Sequence, residues 1–504
     1  MAAPAIRDKV AKSAMLLGSM RLVGRSLDLI TLVVLTRILV PADFGIVALA
    51  LSIMQVAEAV LENPVGQVLL RLRAVKHSHL DTAFTISLIR GVVISAILLL
   101  VSVPFAHFYG DERLVGLICA MGLSPAFRGL RSQKLMLQYR QLRFYADGLS
   151  ELAGKLGATI VATIVALQTH SYWAIAAGTI TSPLINAVVT YILVPHRPRI
   201  TLVHWQLFHG YVGWNIAGQS LSALNWQADR LVLGRMVSHG ALGLYTTARE
   251  FAAITYKALF KTLQRPLYSA LAAASRDPAR LKAVYANAVA AALSFMLPIA
   301  IGQALVTPEL VYLFLGERWI EAVPLLQICS LTLIPGIYSS LTGNLFVASG
   351  RPDLLFKRNL LDFALRIPAS AILIKLYGIY GALAAVVLAD LFLAAVCMRS
   401  ANKLVGLSVT AQLGAARRGV LSSAVMVGII MIARNFTTPP SDSIVAAVTN
   451  LAIIVPAAAV GYVSVHLLAW VAAGRPNGIE EVGLRIARQS LARFRKSPAL
   501  SLAK

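Results

Sequence analysis

A chain of 504 residues with 58% hydrophobic residues, 13% charged residues and a mean hydropathy of +0.73 falls outside soluble globular proteins, in which about a quarter of residues are charged. The composition is that of an all-α polytopic membrane protein, so the net charge of +24 has to be read by position before it can be taken as a nucleic-acid signature. Cys119, Cys329 and Cys397 all lie in apolar stretches as small core residues, which argues against a disulfide or metal framework.

Fourteen apolar segments follow one another, at about 14–38, 43–66, 82–105, 113–130, 148–168, 171–195, 211–236, 240–263, 283–306, 320–349, 355–376, 378–398, 418–434 and 443–472. The first is too long for the apolar core of a signal peptide and carries arginine, so it is expected to stay in the mature chain. Within it Arg21, Arg25 and Asp28 stand at i, i+4 and i+7, which puts them on one helical face. A charge at mid-membrane costs roughly 2.5 to 3.5 kcal/mol even on the milder scales, so this face should turn toward protein or a water-filled cavity. Glu58 follows in the second segment and Arg90 in the third. The fifth carries Glu151 and Lys155, and the eleventh Asp362 and Arg366. Each acid and base are one turn apart and read as pairs that neutralise one another along their own helix.

The seventh segment is polar in the same phase as the first. Asn215, Gln219, Ser222, Trp226 and Asp229 occupy one face, and Arg249 beside Glu250 follows in the eighth, Asp390 in the twelfth. A shift of 198 residues lays Leu35, Arg37 and Gly45 on Leu233, Arg235 and Gly243, and Arg21 on Gln219. Shifts of 208 to 211 lay Cys119 and Pro125 on Cys329 and Pro335, Tyr172, Ala174 and Ala176 on Tyr380, Ala382 and Ala384, and Glu151 and Lys155 on Asp362 and Arg366. Two similar halves are expected: a six-helix lobe at 1–200, a second at 201–400, two further helices at 401–474 and a basic tail at 475–504. Pro183, Pro298, Pro335 and Pro368 interrupt apolar segments and are expected to kink helices. In the tail, Leu484, Ala487, Leu491 and Phe494 share one face of an interfacial helix.

The lysines and arginines alternate in density from loop to loop. One side receives 33 of the 46, the other six (Arg37, Arg113, Arg235, Arg318, Lys375 and Arg434), and the remaining seven lie inside apolar segments. The bias assigns both termini to the cytoplasm and makes the positive charge a topology signal, with no nucleic-acid partner implied. The loop Arg128–Gly148, basic and interleaved with Leu, Phe and Tyr, is expected at the inner lipid interface, where anionic headgroups attract it.

Arginines at mid-membrane without matching acids suit a phosphate or diphosphate, because the guanidinium fork holds two oxygens and stays charged. Arg21, Arg25, Arg90, Gln219, Trp226 and Arg249 are the substrate-binding candidates, and Asp28, Glu58, Asp229, Glu250 and Asp390 the candidates for a coupling cation or proton. In the competing account Asp28, Glu58 and Glu250 only neutralise the arginines in packing. No catalytic residue, metal site or cofactor is indicated: the histidines lie mostly in loops without ligand spacing, and no glycine-rich phosphate loop is present.

TRILVPADFGIVALA, LQYRQLRFYADGLSEL, SYWAIAAG and ADRLVLGRMVSHGALGLYTTARE together resemble the polysaccharide-type flippases of the multidrug, oligosaccharidyl-lipid and polysaccharide exporter superfamily, over most of residues 10 to 400. The resemblance implies two six-helix lobes around a central cavity and alternating access. It implies passage of an undecaprenyl-diphosphate-linked oligosaccharide across a bacterial inner membrane for exopolysaccharide, capsule or O-antigen (lipopolysaccharide) assembly. Membrane lipids, polysaccharide polymerase and chain-length proteins are the implied partners. Trp214, Trp226 and Tyr245 are expected to line the glycan's path. A small-molecule extruder would share the fold but favour an acidic cavity. A membrane-embedded glycan polymerase or transferase would need a larger outer loop.

Overall fold

Unbroken apolar runs of twenty or more residues leave the backbone no partner but itself, so they fold as helices. The computed structural model describes residues 2–61, 65–141, 143–209, 213–437 and 444–475, without the side chains of 2–15, 17, 21, 67, 71, 209, 213–220, 255 and 257–266. Arg21, Trp214 and Gln219 therefore lie outside the described side chains, as does the amphipathic tail. All regular structure among the described residues is helical. The helices run α1 (Ala2–Ile38), α2 (Pro41–Val60), α3 (His77–Tyr109), α4 (Arg113–Met121), α5 (Leu123–Gly129), α6 (Tyr145–Thr169), α7 (Trp173–Leu193), α8 (Gly213–Met236), α9 (His239–Ala274), α10 (Pro278–Leu305), α11 (Val323–Leu331), α12 (Leu333–Ala348), α13 (Pro352–Val405), α14 (Arg417–Arg434) and α15 (Ile444–Ala472). Among the described residues, nine helical stretches are long and apolar enough to cross a membrane.

Two expected helices are broken. The segment 113–130 divides at Gly122 into α4 and α5, and 320–349 into a short 3-10 turn followed by α11 and α12. The stretch labelled α13 is two helices that meet at Gly378, whose φ of 57° and ψ of −133° is open to glycine and closed to most side chains. Pro183, Pro298 and Pro368 are accommodated inside continuous helices.

Contacts group the chain into two units. The first comprises Met1–Thr247, Phe314–Glu321 and Asn359–Ala385, the second Ala248–Leu313, Ala322–Arg358 and Val386–Lys504. In the second unit Leu293, Met296, Ile337, Leu341, Leu345 and Ala401 form a buried core. In the first unit α1 packs on α6 and α7 through Leu35, Leu39, Ala162, Ala166 and Ala174, with Thr31 and Thr159 hydrogen-bonded at 2.6 Å. Leucines such as Leu100, 77% exposed on α3, show how much apolar surface is left for lipid.

Two of the shift-related positions meet in the first unit. A Cβ on Gly45 would stand 1.9 Å from the His239 carbonyl oxygen, and one on Gly243 would stand 1.8 Å from that of Pro41. Gly45 and Gly243, and likewise Pro41 and His239, are 198 residues apart, so each half offers the other the same backbone surface. Nearby, at one end of α1, the Trp319 indole donates to the Thr36 carbonyl at 3.0 Å and packs edge-on against Phe44. Arg235, the counterpart of Arg37, lies over the Phe108 ring at 5.8 Å.

Gly45→Ala and Gly243→Ala should each destabilise the protein by about 1 to 3 kcal/mol or more, because the backbones have to separate to admit a methyl group. Gly428→Ala on α14, with nothing within 4 Å of the added Cβ, should be neutral or stabilise by up to about 1 kcal/mol. Thermal unfolding of the purified variants measures the contrast, and equal midpoints would refute the close approach.

Candidate functional site

The polar face of α1 is described from Arg25 onward. Arg25 Nη1 lies 3.7 Å from Asp28 Oδ2, and its side chain is 42% exposed. The same carboxylate oxygen receives Lys155 Nζ from α6 at 2.7 Å. That ammonium also donates to the Gly24 carbonyl at 3.2 Å, a line left open by the missing side chain there, and stays 3.8 Å from Glu151. Glu151 and Lys155 thus do pair along their own helix, at 3.8 Å, while the shorter bridge of the ammonium crosses to α1. Asp362 and Arg366 do pair within their helix, Nε to Oδ1 at 2.9 Å, with both side chains buried. Asp28 is thus held chiefly by Lys155, and Arg25, at the longer distance, keeps much of its guanidinium edge exposed.

Arg90 and Glu58 meet beside a cavity. Gly91 and Gly129 let α3 and α5 approach until a Cβ on either would stand 2.5 or 2.6 Å from the facing carbonyl of Pro125 or Ser87. That approach brings Arg90, Arg128 and Arg131 around a space of about 250 Å³, together with Glu58, Ser87 and Gln133. Arg90 Nη2 donates to the Glu58 carbonyl at 2.9 Å, Arg128 Nη1 to Glu58 Oε2 at 2.6 Å, and Arg131 to Asp147. Arg128 and Arg131 were read from sequence as interfacial loop charges. Their signal was the RGLR spacing after a span, which alone does not distinguish a cavity wall from a solvated loop.

On α8, Asp229 is fully buried and accepts from the Tyr245 hydroxyl of α9. Tyr245 is itself buried, against the expectation that it lines the glycan's path, whereas Trp226 is 60% exposed. The polar groups that join α8 to its neighbours are ones the sequence did not single out. Gln227 bridges to Ser52 and Gln55 of α2 at 3.0 and 2.6 Å, and Asn225 donates to the Asn359 carbonyl at 2.9 Å, with Asn359 donating in turn to Ser222. Arg249, Glu250 and Asp390 belong to the second unit and are half-buried.

If the cross-helix bridge holds α1 in place, Lys155→Met should cost about 1 to 2 kcal/mol, between the values for exposed and buried pairs, and Asp28→Asn should offset part of that loss. A double-mutant cycle of thermal stability reads the coupling, and strictly additive effects would refute it.

A family model described as polysaccharide biosynthesis protein matches residues 34–324. The lipopolysaccharide biosynthesis protein WzxC of Escherichia coli is 24% identical over 75% of this chain and 77% of its own length. The succinoglycan biosynthesis transport protein ExoT of Rhizobium meliloti is 23% identical over 61% of this chain and 62% of its own. The teichuronic acid biosynthesis protein TuaB of Bacillus subtilis is 21% identical over 60% and 63%. Among solved structures, the lipid II flippase MurJ in an inward closed conformation overlays with a TM-score of 0.70 at 14% identity, over 92% of this chain and all of that one. An inward-facing multidrug transporter of the MATE family, in the MOP superfamily, overlays at 0.59 and 15% identity, over 76% and 94%. The fold is thus that of these transporters.

Proposed function

The chain belongs to the polysaccharide biosynthesis protein family, and we propose on that footing that it is a flippase. It moves undecaprenyl-diphosphate-linked oligosaccharide repeat units across the bacterial inner membrane by alternating access of two six-helix lobes. The observation that carries this reading is the half-exposed Arg25 on the face of α1 that the Asp28–Lys155 bridge joins to α6. A guanidinium within an apolar span is costly unless a ligand or water meets it, and a diphosphate with two or more negative charges is the ligand its fork fits. Arg21, one turn earlier, extends the same face. WzxC and ExoT, named for lipopolysaccharide and succinoglycan biosynthesis, and MurJ, named as a lipid II flippase, support the substrate class. Exopolysaccharide, capsule and O-antigen assembly are the pathways this class serves, with polymerase and chain-length proteins as downstream partners. Asp28, Glu58, Asp229, Glu250 and Asp390 stand as the positions for a coupling cation or proton. Arg90, Gln219, Trp226 and Arg249 extend the substrate path. A drug extruder of the same fold is the second reading, and the exposed arginine disfavours the cationic substrates it would carry.

Deleting the gene should stop surface polysaccharide while lipid-linked repeat units accumulate on the inner leaflet. In a complemented strain, Arg25→Ala should lower transport about ten-fold or more per folded protein, since a charge-assisted hydrogen bond contributes roughly 1.5 to 3 kcal/mol. Arg25→Lys, which keeps the charge and loses the fork, should retain part of it. Normal transport by a well-expressed Arg21→Ala, Arg25→Ala double variant would sink the site.

Fourteen spans with both termini cytoplasmic are proposed from the charge bias. Reporter fusions after Thr169 and Ser238 should report the periplasm, and a cytoplasmic signal from both would overturn the topology.

A further inference from the structure

The segment between α7 and α8 carries a histidine cluster that the passage of substrate does not use. Its backbone runs along the first turns of α3: the amides of Arg199, Thr201 and His204 donate to Asp81 Oδ1 at 3.2 Å, Thr85 Oγ1 at 3.0 Å and Thr82 Oγ1 at 3.4 Å. Lys134 Nζ donates to the Pro195 carbonyl at one end, and Phe208 is buried against Val68, Leu69 and Leu80 at the other. Three imidazole rings sit along this strip. His79 and His204 meet edge to face with centroids 4.3 Å apart, and His204 Nε2 lies 3.0 Å from Ser78 Oγ. The Lys76 amide donates to His79 Nδ1 at 3.2 Å. An imidazolium bears hydrogen on both nitrogens, so that bond exists only with a neutral His79. His196, its side chain 4% exposed, holds Nε2 3.4 Å from Asp81 Oδ1. Burial pushes His196 below the usual histidine range in spite of that carboxylate.

We propose that residues 196–205 form an acid-released strap, docked on α3 while His79, His196 and His204 are neutral and freed when they take up protons. The charged and titratable groups facing the rings are Lys76, His77 and Asp81 around the start of α3, Lys134, and the rings themselves. Of these Asp81 favours a charged ring, and the lysines and neighbouring histidines oppose it. A histidine buried in its neutral form favours the docked state, so docking is complete above the ordinary histidine value of about 6.5 and is lost as pH falls below it. Protonating His79 removes the acceptor of the Lys76 amide, and a second charge on His204, at ring contact, repels the first. Phe208 keeps the far end seated, so the freed strap becomes a loop. The strap joins the two halves read from the sequence, at the end that the charge bias assigns to the cytoplasm, and its release there loosens the joint between them. That consequence rests on the two-lobe reading, whereas the docking and its titration do not depend on what the protein transports.

The test is amide hydrogen exchange of the full chain in detergent at about pH 7.5 and about pH 5.5, either side of the histidine range, with each rate divided by its intrinsic value. The amides of Arg199, Thr201 and His204 should lose protection about ten-fold or more at the lower pH, the effect of a single pKa displaced by one unit. The core of α10 around Met296 should keep its protection at both. In a variant with His79→Asn, His196→Gln and His204→Gln the loss should shrink to less than about two-fold, because the amides keep polar atoms near the ring nitrogens without titrating in this range. Equal protection of the strap at the two pH values in the unaltered protein overturns the proposal. So does an equal loss around Met296, which would be acid unfolding of the whole chain, or an undiminished loss in the triple variant. Should that variant fail to fold, His79→Asn alone, which keeps an acceptor for the Lys76 amide, should show a reduced loss, and a loss as large as the parent's overturns the proposal equally.

Discussion

Hydrocarbon offers no hydrogen bond, so every charge placed among these helices must be answered by the protein or by something the protein holds. Much of the arrangement follows from that constraint. Lys155 reaches across to Asp28 because the carboxylate on α1 needs a counter-charge and Gly24 leaves the line open. Arg366 and Asp362 close on each other within one helix, and Tyr245 supplies Asp229 with a hydroxyl from the next. Where charge is left over, as at Arg25, a ligand or water is the remaining way to meet it.

The helical architecture was legible because burial in lipid forces a single solution on apolar runs, and because in-span charges are rare enough to be weighed one at a time. The pairing of Asp362 with Arg366 could be read from spacing, since both partners lie on one helix. The bridge from Lys155 to Asp28 could not. A charge one turn away along the sequence competes there with a charge on a neighbouring helix, and the distances that decide between them exist only after packing. The breaks at Gly122 and near residue 322 were hidden for a related reason: hydropathy averages over a window and does not register a change of helix axis.

The candidate site was legible as chemistry and less so as geometry. Arg25, Arg90 and Glu58 stood out as charges inside spans, whereas Arg128 and Arg131 looked like loop residues because loops rich in arginine are ordinary at a membrane surface. Only the close approach of α3 and α5 at Gly91 and Gly129 turns them into the wall of a cavity. Tyr245 was misread in the opposite direction: an aromatic with a hydroxyl suggests a sugar-binding surface, but the hydroxyl serves a buried carboxylate.

The glycine contact has an implication for how such a chain arose. Pro41 with Gly45 and His239 with Gly243 meet reciprocally, each segment offering the other the surface it receives. In a half-length ancestor the two segments would be one and the same, and the contact would be a self-contact across a two-fold axis, the isologous geometry of a symmetric dimer. Fusion of two such copies turns a concentration-dependent association into an intramolecular one. The two halves would then be free to diverge elsewhere, while the glycines at such an axis would have to remain a matched pair.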